Sequence, residues 1–239
     1  AHLMRPRESC GASVAAVATR TSAPSLDLGI VPANGAQAKP GRPHVTVNSY
    51  GPAASRAARA LWIVHELGIP FEHIAMEMKD LKGADYLKIN PNGKVPTLVD
   101  GDFKLFESMA INLYLAAKHN KDGFMPASLE DQALCNQWSF WGMTEVEKPL
   151  LTILIDMFMT APDKRKPDAV ADSQKALPKP FAVLNGAPQG RDYLLGSTFT
   201  VADLNLASIC SWARAMRTVR PARLERSLIA SPHRATASG

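Results

Sequence analysis

The sequence predicts an α/β unit built on a single sheet, followed by an all-α helical bundle, and three observations carry that expectation. Residues 44–120 alternate short strand patterns with helical periodicities in the order β-α-β-(α)-β-β-α. From about 127 to 216 only helical spacing remains, and Pro126, shortly after Gly123, separates the two stretches.

Taken in order, residues 44–48 alternate polar and β-branched side chains, a strand pattern. The run SYGPAASRAARALWIVHELG then turns at Gly51-Pro52 and enters a helix. Ala58, Leu61, Trp62, Ile63 and Leu67 keep helical spacing, and Gly68 stands in the C′ position with Pro70 beyond. Residues 69–75 supply a second strand, which the intervening helix makes parallel to the first. After a polar connection with a short helix near 84–88, residues 97–99 and 104–106 flank Asp100-Gly101-Asp102 as a hairpin. Residues 108–117 form a helix with Met109, Ile111, Leu113, Tyr114 and Ala117 on its apolar side. In the second unit the expected helices are 129–143, 149–159, 168–184 and 201–216. The last opens with Thr200 and Asp203 in a capping box, and Phe199 and Leu204 hold the places of a hydrophobic staple. That motif shapes the fold and does no chemistry.

The chain of 239 residues is 46% hydrophobic and 21% charged, which gives room for one large or two small domains. No run of about 18 apolar residues exists, so a transmembrane span is not expected. Cys10, Cys135 and Cys210 lie too far apart for a disulfide framework or a cysteine-pair metal knuckle, and a reducing, cytoplasmic compartment follows. His65, His73 and His119 show no ligand spacing, so no metal site is expected. The net charge of +5 sits in the flanks: +3 over 1–43, +4 over 217–239 and −2 between them. The central body therefore carries no basic footprint for nucleic acid.

Residues 1–43, rich in Ala, Ser, Pro, Gly and Arg, read as a disordered extension. A competing export signal would start at Met4, but its apolar part is weak. Residues 217–239 form an atypical basic tail in which Arg217, Arg220, Arg223 and Arg226 recur every three positions.

The order of elements, the Val95-Pro96 step before a strand, the Glu107-Ser108 pair opening the next helix and the Thr-Val-Ala-Asp box together resemble the cytosolic glutathione transferases, of the serine type found in bacteria. The resemblance covers roughly 44–216 and implies a thioredoxin-like domain over 44–120, an all-helical domain over 127–216, glutathione as co-substrate, a small hydrophobic electrophile and a homodimer. The basic tail departs from the hydrophobic terminal helix of that family and reads as a shifted frame or altered terminus, which the encoding DNA checks.

The resemblance also implies roles. Ser55, four residues before Arg59, matches the serine that holds the thiol ionised; a shift of one residue would put Ala54 there, and a plain helix cap gives the same pattern. Tyr50 is the runner-up thiol partner, as in tyrosine-type members. With no Cys between Tyr50 and Arg59, the reacting sulfur comes from the ligand. Val95 precedes a proline, Pro96, whose peptide bond is cis in the family and presents the Val95 backbone to glutathione. Glu107 and Ser108 take the glutamyl ammonium and carboxylate at a helix N-terminus. Lys94 is a partner for a peptide carboxylate. Trp138, Trp141 and Met143 are candidates to face the electrophile, although such a stripe also serves as core. Two other activities stay open: a non-catalytic glutathione-binding or protein-interaction module, and a glutathione-dependent isomerase or peroxidase.

Overall fold

The computed structural model describes residues 47–53, 55–187 and 190–216. The expectations for 1–43, for 217–239 and for Ala54 lie outside the described residues. Strands β1 (Val47–Tyr50), β2 (Glu72–Ile74), β3 (Thr97–Asp100) and β4 (Phe103–Phe106) form a four-stranded sheet in the order β2-β1-β3-β4. β1 and β2 are parallel, as the helical crossover requires, while β1–β3 and β3–β4 are antiparallel.

Helix α1 (Ala57–Leu67) buries Ala60, Ile63, Val64 and Leu67, the stripe that its spacing projects toward the sheet. It stops at Gly68, whose φ of 63° is the left-handed conformation that suits glycine. The Gly68 N–H donates to the His65 carbonyl at 3.1 Å and the Ile69 N–H to the Val64 carbonyl at 3.2 Å, the paired bonds of a Schellman ending. A 3₁₀ turn at Met78–Lys82, unanticipated in the polar connection, precedes the short α2 (Ala84–Leu87). Helix α3 (Ser108–Lys118) packs beside α1 over Val47 and Leu98, whereas Tyr86 of α2 bonds Thr97 on the opposite sheet face. The sheet thus carries helices on both faces.

The second half is helical throughout. α4 (Leu129–Trp141) starts at Ser128, whose hydroxyl accepts the Asp131 N–H at 3.1 Å. The helices expected at 129–143 and 149–159 run into each other: a π-type turn at Gly142–Glu147 leads directly into α5 (Lys148–Phe158). Gly142 lets this turn lie close against the later segment around Leu206, because a Cβ there would stand 2.6 Å from Leu206 Cδ2 and 2.8 Å from Ile209 Cδ1. The single helix expected at 168–184 is instead two, α6 (Pro167–Ala176) and α7 (Pro178–Gly186). Pro178 has no N–H to return to the Gln174 carbonyl, so it opens a new helix and does not continue the old one.

α8 (Val201–Met216) is the central helix, and Val201 to Cys210 are all buried. Its capping box differs in detail from the expected one. Asp203 does accept the Thr200 N–H at 2.9 Å, but the Thr200 hydroxyl donates to the same carboxylate, and the Leu194 N–H fills the other oxygen at 2.9 Å. Burial raises the Asp203 pKa against the pull of these bonds.

A buried polar seam joins the halves. Asn112 of α3 donates to the Asn205 side-chain oxygen at 2.7 Å, Asn205 donates to the Ser139 hydroxyl at 2.8 Å, and Ser139 donates to the Cys135 carbonyl at 2.7 Å. This chain of bonds satisfies the donors of all three side chains, while Asn112 Oδ1 finds no partner among the described residues. No helix among the described residues is long and apolar enough to cross a membrane.

Candidate active site

Three neighbouring positions define one end of the sheet. Tyr50 ends β1 and pairs with Thr97, which starts β3, and Thr97 pairs with Phe106, which ends β4. The residues entering or leaving these positions therefore emerge side by side: Gly51 to Ser55 after β1, Val95-Pro96 before β3, and Glu107-Ser108 after β4. Sequence positions some 50 apart come together because of this register.

Close packing fixes the first two of these segments. Gly51 has φ of 136°, and a Cβ on it would lie 2.9 Å from both Ala57 Cβ and Val95 Cβ. No other residue lets the strand end pass between α1 and the loop. The His73 Nε2 lies 2.7 Å from the Gly51 carbonyl oxygen on the far side. The loop itself is held through Lys94, whose carbonyl accepts from Tyr86 Oη at 2.6 Å and Asn90 Nδ2 at 2.8 Å, while its side chain is exposed. The Val95–Pro96 peptide bond is cis. Pro96 is buried, Val95 is half-buried, and the Val95 backbone makes no hydrogen bond among the described residues.

Ser55 sits two residues ahead of α1, half-buried. Its hydroxyl donates to the Pro52 carbonyl at 2.6 Å and accepts the Ala57 N–H at 3.1 Å. It thus satisfies one of the first helical N–H groups, and no acidic residue lies in the first turn of α1 to oppose an anion there. Tyr50 points the other way. Its side chain shares the Thr97 face of the sheet, with its ring 6.2 Å from that of Tyr86, opposite α1 and α3. Burial, then Glu72 and Tyr86, push its phenol pKa up.

At the third segment, Glu107 is exposed and has φ of 74° and ψ of 115°, a strained backbone for a residue with a side chain. Ser108 is buried, and its hydroxyl accepts from Arg59 Nη1 at 3.3 Å. Arg59 and Glu147 are functional candidates that the sequence did not reveal. Arg59 is 2% exposed and pairs with Glu147 Oε2 at 2.6 Å, and Arg56 takes Glu147 Oε1 at 2.5 Å. Burial lowers the Arg59 pKa and outweighs the support of Glu147. The only signal was a charged residue in the otherwise apolar run ARALWIV. Met143 comes within 3.4 Å of Arg59 Nη1, so it faces the first unit, while Trp138 and Trp141 stack edge-to-face on each other at 5.3 Å and pack against the core.

Comparison with known proteins follows the same division. The model for "Glutathione S-transferase, N-terminal domain" matches residues 46–117, and that for "Glutathione S-transferase, C-terminal domain" matches 147–224. Glutathione S-transferase 3 of Zea mays is 33% identical over 186 residues, covering 73% of this chain and 79% of that protein. The chain belongs to the glutathione S-transferase family. Among solved structures, the theta class glutathione S-transferase of the citrus canker pathogen Xanthomonas axonopodis pv. citri, with glutathione bound, shares the fold at a TM-score of 0.70 and 24% identity. The match covers 82% of this chain and 99% of that one. Ure2p in complex with glutathione shares the fold at a TM-score of 0.70 and 17% identity, over 82% of this chain and 92% of that one. In this family member the α/β half and the helical half meet at the Arg59–Glu147 cluster and at the amide seam.

Proposed function

We propose that this glutathione transferase adds the thiolate of glutathione to small hydrophobic electrophiles and that the Ser55 hydroxyl holds the sulfur ionised. A free thiol with a pKa near ~8.5 is only a few per cent ionised at neutral pH, so each tenfold gain in thiolate needs about 1.4 kcal/mol of selective stabilisation. The observation that carries this proposal is the register of Tyr50, Thr97 and Phe106, which opens the N-termini of α1 and α3 and the Val95 backbone on one side. The Val95 N–H and C=O pair with the peptide backbone of glutathione as an added strand. Glu107 and Ser108 take its glutamyl end, and Lys94 takes a peptide carboxylate. Ser55 is preferred to Tyr50 because Tyr50 lies on the α2 face. Met143, which is half-buried and faces the α/β half, is the candidate to touch the electrophile.

The enzyme works in the cytoplasm, which suits the free, buried Cys135 and Cys210. It acts as a homodimer, supported by exposed Phe103 and Phe106 on the edge strand β4 and by exposed Leu129 and Phe140 on α4. Calorimetry at millimolar glutathione and conjugation of a generic aryl halide test the function; absence of both heat and adduct refutes it. A second reading is a module that binds glutathione without turning it over. It is favoured by one observation: the Ser55 hydroxyl already donates its hydrogen bond to the Pro52 carbonyl. Binding heat without adduct would select it.

A further inference from the structure

The buried ionic cluster between the two halves has no part in the steps above. Glu147 is 3% exposed at the side chain and divides its oxygens. Oε1 receives Arg56 Nε at 2.6 Å and Nη2 at 2.5 Å, and Oε2 receives Arg59 Nη1 at 2.6 Å. Arg59 Nη1 also reaches the Ser108 hydroxyl at 3.3 Å and Met143 Sδ at 3.4 Å, and the guanidinium lies 4.8 Å from the Trp212 ring centroid. Its Nε and Nη2 find no partner among the described residues. For holding a fold, this is a poor arrangement. Buried charges lose hydration, and an apolar residue at 59 would pack as Leu61 and Ile63 do, with no orphaned donors.

What the cluster achieves is placement. One carboxylate fixes Arg56, adjacent to Ser55 at the head of α1, and fixes Arg59, which in turn orients the Ser108 hydroxyl at the head of α3. We propose that Glu147, from the helical half, is a positioning residue for glutathione: through Arg59 it holds the Ser108 hydroxyl in the geometry that binds the tripeptide. This rests on the proposed pocket at those two helix ends. Glu147 is not a catalytic residue, because the two arginines occupy both of its oxygens.

The test is isothermal calorimetry of the full chain with glutathione. Glu147→Gln is expected to raise Kd about tenfold, the loss typical of a hydrogen bond to a charged partner. In a Ser108→Ala background the same substitution is expected to change Kd by less than about twofold, because the hydroxyl it acts through is gone. Glu147→Asp keeps the charge and is expected to recover part of the affinity. Unchanged affinity of a folded Glu147→Gln chain, or an effect equally large in the Ser108→Ala background, overturns the proposal and leaves a purely fold-holding cluster. If the Gln variant does not fold, Glu147→Asp takes its place: its shorter arm cannot span both arginines, and parental affinity would overturn the proposal just the same. No heat from the unmodified chain refutes the glutathione pocket itself, a result distinct from heat in the parent matched by equal heat in the variant.

Discussion

Replacing Ser55 with alanine separates a thiol-activating hydroxyl from a helix cap. The Ser55 hydroxyl donates to the Pro52 carbonyl at 2.6 Å. Turning toward a thiolate gives up that neutral bond, worth about 0.5–1.5 kcal/mol, for a charge-assisted one worth about 1.5–3. The net gain of about 1–1.5 kcal/mol corresponds to roughly one unit of thiol pKa. Ser55→Ala should therefore raise the apparent thiol pKa by about one unit. It should cut kcat/KM close to tenfold at pH ~6.5, and much less near pH ~9, where the thiolate forms unaided. The Ala57 N–H also loses its acceptor, at a cost of about 1 kcal/mol of stability. The assay is kcat/KM for an aryl halide against pH, with a urea midpoint measured on the same protein. Superimposable pH profiles with the stability loss still present would refute activation and leave Ser55 a cap.

Asp203→Ala strands three buried donors, the Thr200 N–H and hydroxyl and the Leu194 N–H, so urea unfolding should show a loss of about 3–5 kcal/mol. A loss near the ~1 kcal/mol of an exposed cap would show that these bonds are replaceable. Burial of Asp100 opposes its charge, but hydrogen bonds from Lys118 and Tyr114 outweigh burial and hold its pKa below the ordinary 3.8. Its contribution is present above pH 3.8 and is lost as pH falls through the folded value, so the stability gap to Asp100→Asn should shrink on acidification in that window. A gap independent of pH would contradict that account. Glu107→Gly relieves the backbone at φ of 74° and should gain up to about 1 kcal/mol while weakening glutathione binding; a less stable variant argues against strain at this position.

Local chemistry made most of the α/β half legible. The Gly68 ending, the Asp100-Gly101-Asp102 hairpin and the crossover after β1 each depend on a few adjacent residues, and each forms as its pattern requires. Helix breaks in the second half depended on single residues that periodicity averages away. Pro178 divides the run into α6 and α7, and the turn between α4 and α5 lies against α8 at Gly142, a close approach to Leu206 that no local pattern encodes. The candidate site divides in the same way. Ser55, Val95, Pro96, Glu107 and Ser108 announce themselves as turn and helix-start chemistry. Glu147 meets Arg59 across 88 residues, a pairing that exists only once the two halves are packed. Its trace in the sequence is a charge at a position whose helical neighbours are apolar.

The seam from Asn112 through Asn205 to Ser139 runs in one direction, each side chain donating a hydrogen bond to the next group. Truncating the middle member leaves a donor upstream and an acceptor downstream without company. Chimeras that graft the helical half of another sequence onto this α/β half would therefore depend on polar matching at the junction as well as on apolar packing. They would fail wherever the amide at 205 or the hydroxyl at 139 was not carried along.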